Sequence, residues 1–319
     1  MAVRETIGAD VGGTKVLVGA LDAENQVGYE EREPTTGLSS DLLLDLLESA
    51  FAKAVAARPD IDGIGLGLPC TLDQARGTAI SAVNLDIVDV PVRGELADRL
   101  GRPVFVDNDA NVAALAEQRF GAAKGARHVV MITVGTGIGG GLIIDGEIYR
   151  GRNGAGAELG HSVIEADGPP CQGNCPGRGC VETLASGTAL TREGRLAAER
   201  EPDSALGRLL AAGQEIDGAA ITAAAIEGDP TARAVVELIG HRLGIALTGF
   251  ANVFEPDAIV VGGGVMAAGE LLLEPARRQV REHALPPMNK TPVVAAQLGN
   301  RAGMIGAATL ARIELERQT

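Results

Sequence analysis

Short apolar runs flank a Gly-Gly turn at the start of the chain. "RETIGAD" (residues 4–10) and "KVLVGALD" (15–22) read as the two strands of a hairpin, and a third strand follows near "QVGYEERE" (26–33). From residue 39 the period changes. "SSDLLLDLLESAFAKAVAA" (39–57) opens on Ser and Asp and sets its leucines at helical spacing, which predicts an amphipathic helix. "IDGIGLGLP" (61–69) reads as a short buried strand, and "PVFVDNDANVAALAEQRFG" (103–121) as a strand breaking directly into a helix. "HVVMITVGTGIGGGLIIDGEIY" (128–149) then repeats the opening pattern of strand, Gly/Thr turn and strand. A long helix is predicted over 229–255, beginning at Asp-Pro; "AIVVGGGV" (258–265) is a strand entering a glycine turn, and "AGMIGAATLARIELER" (302–317) a closing helix. The alternation makes this an α/β chain, and the two strand–turn–strand units suggest a duplicated scaffold with a cleft between its halves. No linker stands out by composition.

Composition narrows the class of partner. With 319 residues the chain can form two domains, each with its own core. Aromatics make up 2% of the chain, so Ala, Val, Leu and Ile must fill those cores. Twenty-eight basic residues face 42 acidic ones, a net charge of −14 that argues against nucleic acid and membrane surfaces as partners. The N-terminus lacks the pattern of a signal peptide and no uninterrupted apolar stretch has the length of a membrane span, so the cytoplasm is the expected location.

Three glycine turns suggest phosphate. In "DVGGTK", Gly12 and Gly13 let backbone N–H groups converge on an anion, and Thr14 adds a hydroxyl. Gly135, Thr136 and Gly137 in "TVGTGIGGG" offer the same chemistry again, while Gly262, Gly263 and Gly264 allow the close approach that a base or ribose needs. Each turn ends a strand, and together they favour a nucleotide cleft, although none is a Walker A loop. Asp10 reads either as a turn-capping carboxylate or as an anchor for Mg²⁺ through water. Lys15 points either to solvent or to phosphate.

Asp109 falls at the strand–helix break. It is either an N-cap, accepting from free N–H groups, or an ionised carboxylate held by the helix dipole and aimed at a substrate alcohol, as phosphoryl transfer requires. Asn108 beside it can donate to and accept from a sugar hydroxyl.

"GHSVIEADGPPCQGNCPGRGC" (160–180) holds three of the four cysteines. His161, Cys171, Cys175 and Cys180 offer four ligands to a tetrahedral Zn²⁺. A disulfide is the competing reading, weakened by the odd number of cysteines and by a reducing compartment.

The motifs "DVGGTK", "NDAN", "ITVGTGIGGG", "ELGH" and "GCVE", in this order, resemble the ROK family (repressors, open reading frames, kinases), most closely its bacterial glucokinases. The resemblance runs from the first strand to the last helix. It implies a two-domain actin-like ATPase (ribonuclease H-like) fold with an interdomain cleft: a smaller domain of residues 1–118 plus 301–319, and a larger one of 119–300 carrying the zinc loop. It also implies ATP with Mg²⁺ between "DVGGTK" and "TVGTGIGGG", with the base near "GGG". Asp109 would take the proton from a hexose 6-hydroxyl, with Asn84, Asn108, Glu158, His161 and Glu182 binding sugar hydroxyls. One imidazole nitrogen of His161 would hold a structural Zn²⁺ while the other faces the sugar. Glucose is the first choice of substrate; N-acetylmannosamine, fructose or allose, and polyphosphate as donor, are the alternatives. A homodimer or homotetramer is expected.

The chain departs from the family pattern in three places. Its metal loop reads H-x9-C-x3-C-x4-C, two residues longer between Cys171 and Cys175 than the family's H-x9-C-x-C-x4-C. Cys70 stands where many relatives have Gly, and "NLDIVDVP" lacks the Gly-Trp that often follows Asn-Leu. A sugar-responsive repressor is the reading from another class; such members carry a helix-turn-helix ahead of the first phosphate turn, whereas nine residues precede Asp10 here.

Overall fold

The computed structural model describes residues 5–82 and 85–318, so Asn84 lies outside the described residues. Two compact units emerge: Met1–Gly125 with Gly141–Ala157 and Leu298–Thr319, and Ala126–Gly140 with Glu158–Gln297.

The first unit begins with β1 (Glu5–Val11), β2 (Lys15–Leu21), β3 (Val27–Pro34) and α1 (Ser40–Ala57). There follow β4 (Ile61–Leu68), the short strands β5 (Cys70–Asp73), β6 (Thr78–Ala82) and β7 (Val88–Val90), α2 (Val92–Leu100), β8 (Val104–Asn108) and α3 (Asp109–Phe120). Its main sheet runs β3-β2-β1-β4-β8. The hairpin pairs are antiparallel, whereas β1 with β4 and β4 with β8 are parallel. In register, Asp10 lies beside Gly67 and Gly67 beside Asp107, so the parallel strands deliver both aspartates to one edge.

Helix α1 starts as its sequence predicts: the Ser39 side chain caps Leu42 N–H, and Leu43, Leu44, Leu47 and Phe51 are buried. They pack with Ile64, Leu66 and Leu68 of the sheet, each side chain contributing about 1.5–3 kcal/mol by leaving water. The opposite face is covered by the closing helix of Ala302–Arg317. There the sheet presents Gly8 and Gly65, and a Cβ at Gly65 would lie 1.8 Å from the Ala307 carbonyl oxygen. Helix and sheet backbones therefore touch. Gly306 does the same for α3, since a Cβ there would fall 1.7 Å from the Val112 carbonyl oxygen.

The second sheet is built from β9 (Val129–Val134), β10 (Ile138–Ile144), β11 (Glu147–Ile148), β12 (Ala258–Gly262) and β13 (Val293–Ala295), in the order β11-β10-β9-β12-β13. Strand β12 is parallel to β9 and to β13, with Gly262 beside Thr133, so the turns that follow β9 and β12 leave the sheet at the same edge. The helices are α4 (Val181–Ala185), α5 (Gly187–Arg200), α6 (Ala205–Ala211), α7 (Gly218–Glu227), α8 (Pro230–Phe254), α9 (Glu270–His283) and the closing α10 (Ala302–Arg317), which belongs to the first unit. Helix α8 begins as Asp-Pro predicts: Asp229 caps Ala232 N–H at 2.8 Å and Pro230 occupies the first turn, where its missing N–H costs nothing. By length and composition α8 is apolar enough to cross a membrane, but over half of its most apolar window is buried. It packs backbone-close on α9, where a Cβ at Gly240 would meet Leu272 O at 2.3 Å. It is the core helix of its unit.

Candidate functional site

The site residues divide between the two units. In the first, Asp10 ends its strand against the first turn of α10: a Cβ at Gly303 would come within 2.3–2.6 Å of its carboxyl atoms. Burial raises the Asp10 pKa from the ordinary 3.8 to about 7, with Asp109 adding to the effect and Lys15 opposing it. Two carboxyl groups thus share one electrostatic neighbourhood, a donor set suited to a hydrated divalent cation.

The adjacent turn is held by side chains that its motif does not contain. Gly12 N–H closes the turn onto Lys15 O at 2.8 Å. Buried Thr35 accepts nothing from it but donates twice: its Oγ1 to Gly12 O at 2.7 Å and its N–H to Thr14 O at 3.0 Å. Lys15 and Thr14 are exposed.

At the β8–α3 junction the capping role falls to a different residue than expected. Asn108 is the N-cap, its Oδ1 accepting from Ala110 N–H at 2.9 Å and Asn111 N–H at 3.4 Å. Asp109 is the first helical residue, and its Oδ1 accepts from Ala110 N–H at 2.8 Å. The reading of Asp109 as N-cap is corrected: Asn108 has the extended backbone a cap needs and Asp109 is already helical. Asn108 is correspondingly committed, with its Nδ2 directed to Cys70 O at 3.5 Å.

Beneath this junction Asp107 is fully buried. Its Oδ2 pairs with Arg150 Nε at 2.6 Å, and its Oδ1 accepts from Asn111 Nδ2 at 2.9 Å and Asn108 N–H at 2.8 Å. Arg150, 43 positions away, carries no local signal of this task. Cys70 is buried nearby; burial first, then Asp109 and Asp107, push its thiol up to about 12, so it stays protonated at neutral pH.

In the second unit, the Gly135–Gly137 turn closes on itself through Gly135 N–H to Gly137 O at 2.9 Å. The start of α5 grips it: Gly187 N–H donates to Gly135 O at 2.8 Å, and Thr188 Oγ1 to Thr136 O at 2.8 Å. Gly263 follows β12 with φ of 91°, a left-handed conformation that excludes most side chains, and its backbone lies directly against Val134. Gly262 ends β12, and Gly264 opens a single 3₁₀ turn with open space where a Cβ would be.

The four expected metal ligands do converge. The ligand atoms of His161, Cys171, Cys175 and Cys180 all lie within 4.8 Å of one another, with His161 Nδ1 3.5 Å from Cys171 Sγ. All four cysteines of the chain are free thiols, which disposes of the disulfide reading. Three soft thiolates and one imidazole at this spacing fit tetrahedral Zn²⁺, and the extra residues of the loop are absorbed in the turn before Cys175. Nδ1 is the nitrogen turned to the cluster, which leaves Nε2 for another partner.

Glu158 immediately precedes the 3₁₀ turn that carries His161. Partial burial of its carboxyl raises the pKa; the His161 imidazole opposes this and Glu182 adds to it. Glu182, in the first turn of α4, directs Oε2 to Ile138 N–H at 2.8 Å. It therefore touches the phosphate-type turn, a contact its "GCVE" motif does not announce.

The comparisons with known proteins agree with this architecture. The ROK family pattern matches residues 6–314. The chain belongs to the ROK family. It is 39% identical to a glucokinase of Streptomyces coelicolor over 314 residues, which cover 96% of this chain and 97% of that enzyme. It superposes on the ROK glucokinase of Streptomyces griseus, crystallised with glucose and AMPPNP, with a TM-score of 0.85 and 38% identity, covering 97% of this chain and 99% of that one. A xylose repressor of Caldicellulosiruptor bescii is 30% identical over 277 residues, or 83% of this chain and 66% of the repressor. With its two five-stranded mixed sheets, this ROK protein has the actin-like ATPase fold of the glucokinase structures.

Proposed function

We propose that this ROK protein is a sugar kinase that transfers the γ-phosphoryl group of ATP to the 6-hydroxyl of a hexose, with glucose as the first substrate. The observation that carries the reading is the aspartate pair of the first unit: Asp109 at the start of α3, close enough to Asp10 to raise its proton affinity. With Asn108 satisfying the helix end, the Asp109 carboxylate is not needed as the cap and is suited to accept the proton of an attacking alcohol. Asp10 would hold Mg²⁺ through water; when bound, that ion neutralises phosphate charge. Gly12, Gly13, Thr14, Lys15, Gly135, Thr136, Gly137 and Gly262–Gly264 would contribute to nucleotide binding. Asn84, Asn108, Glu158, Glu182 and His161 through its Nε2 would bind sugar hydroxyls. His161, Cys171, Cys175 and Cys180 would hold Zn²⁺, which braces the loop.

Similarity to glucokinases over nearly the whole chain supports glucose and ATP. Coupled-assay turnover across hexoses and phosphoryl donors tests the proposal: the highest kcat/KM is expected for glucose with ATP, and no phosphorylation of any sugar with both metals present would sink it. Similarity to a xylose repressor favours a second reading, a sugar sensor that binds without phosphorylating. The carboxylate retained at position 109 speaks for the enzyme, and a gel shift at low salt distinguishes the two.

A further inference from the structure

Glu182 is an unexpected side chain to find on a turn proposed to receive phosphate, because its charge opposes the ligand's. The geometry nonetheless holds it there closely. Cys180, a proposed metal ligand, is the N-cap of α4, and Glu182 is the second residue of that helix. Its Oε2 accepts Ile138 N–H at 2.8 Å, the donor that ends the Gly135–Gly137 turn. A Cβ at Gly137 would lie 2.3 Å from the same oxygen, so the carboxylate occupies the space a side chain would need. The other end of the turn is held by α5, through Gly187 and Thr188. Ser186, between the two helices, caps Ala189 and accepts from Gln172 Nε2 at 3.3 Å, one residue after Cys171. Metal loop, α4, α5 and the glycine turn therefore form one hydrogen-bonded unit. Gly135 and Ile138 point their N–H groups into it, while those of Thr136 and Gly137 donate to nothing within the described residues.

We propose that Glu182 is a positioning residue for the phosphate turn. One carboxylate oxygen anchors Ile138 and so sets the direction of the Thr136 and Gly137 N–H groups, and the other takes a sugar hydroxyl. Sugar occupancy and nucleotide affinity are then coupled through a single side chain, and by linkage each ligand strengthens the other. This inference rests on the proposed assignment of hexose and nucleotide.

Calorimetric binding of AMPPNP and of glucose to metal-loaded protein tests it without turnover. In Glu182→Gln the amide oxygen still accepts from Ile138. AMPPNP affinity is therefore expected within about twofold of the parent, while glucose affinity falls by about tenfold or more as a charged acceptor is lost. In Glu182→Ala both affinities fall by about tenfold, and glucose no longer tightens AMPPNP. A merely structural role would lower both affinities together in both variants. Unchanged AMPPNP affinity in a folded Glu182→Ala overturns the inference. Should that variant not fold, Glu182→Gln decides: loss of AMPPNP affinity equal to the loss for glucose also overturns it. If the parent protein itself bound no AMPPNP, the nucleotide assignment would fall first and the inference with it.

Discussion

Asp10 and Asp109 lie at the end of β1 and the start of α3; burial raises the pKa of Asp10 and the neighbouring Asp109 carboxylate adds to it. A carboxyl whose folded pKa lies above its unfolded value stabilises the fold only while protonated. That stability is present in full below pH 3.8 and is lost as pH rises through about 7. In Mg²⁺-free buffer at pH 8, Asp10→Asn is therefore expected to be more stable than the parent by about 1–3 kcal/mol, with the difference vanishing towards pH 4. Denaturant melts across that range measure it. The same substitution should abolish Mg²⁺-dependent turnover. For Asp109→Asn the expectation is different: kcat falls by about 10²–10⁴, while melting temperature and glucose affinity hold, because the cap belongs to Asn108. Unfolding of that variant would return Asp109 to a structural role.

The β8–α3 junction is where an element, rather than a residue, is under control. Asn108 closes the helix end, Asp107 ties it to Asn111, and Arg150 neutralises Asp107 from a distant segment. Arg150→Met would leave a fully buried carboxylate without its cation and should cost about 3–5 kcal/mol of stability, whereas Asn108→Ala should cost about 1 kcal/mol. Closing the sandwich depends equally on α10. Its Gly306 meets the α3 backbone with no room for a methyl group, so Gly306→Ala should destabilise by about 3 kcal/mol or more in the same melts. Helices α1 and α8 were legible because caps and apolar periodicity are written in consecutive residues, and α10 by its apolar pattern without a side-chain cap. The β5–β6–β7 sheet and helices α4 to α7 and α9 were not. Their strands are three to five residues long, or their apolar stripes only acquire meaning against a partner.

Across the molecule, two five-stranded sheets each have a glycine turn leaving an edge, and among the described residues the metal-ligand cluster falls in the second unit. Elemental analysis is expected to give one zinc per chain. Stripping it with a chelator should lower the melting temperature and weaken glucose binding, and re-addition should restore both. What the chain's order of residues settled was the kind of chemistry available: glycine turns at strand ends, an aspartate at a helix start, and one histidine with three cysteines. These are short-range patterns whose meaning survives without a partner. Which cation neutralises Asp107 and which turn Glu182 touches were decided only by folding. Those contacts join positions 43 and 44 residues apart, and the free energy of each depends on a neighbour that the local sequence does not name.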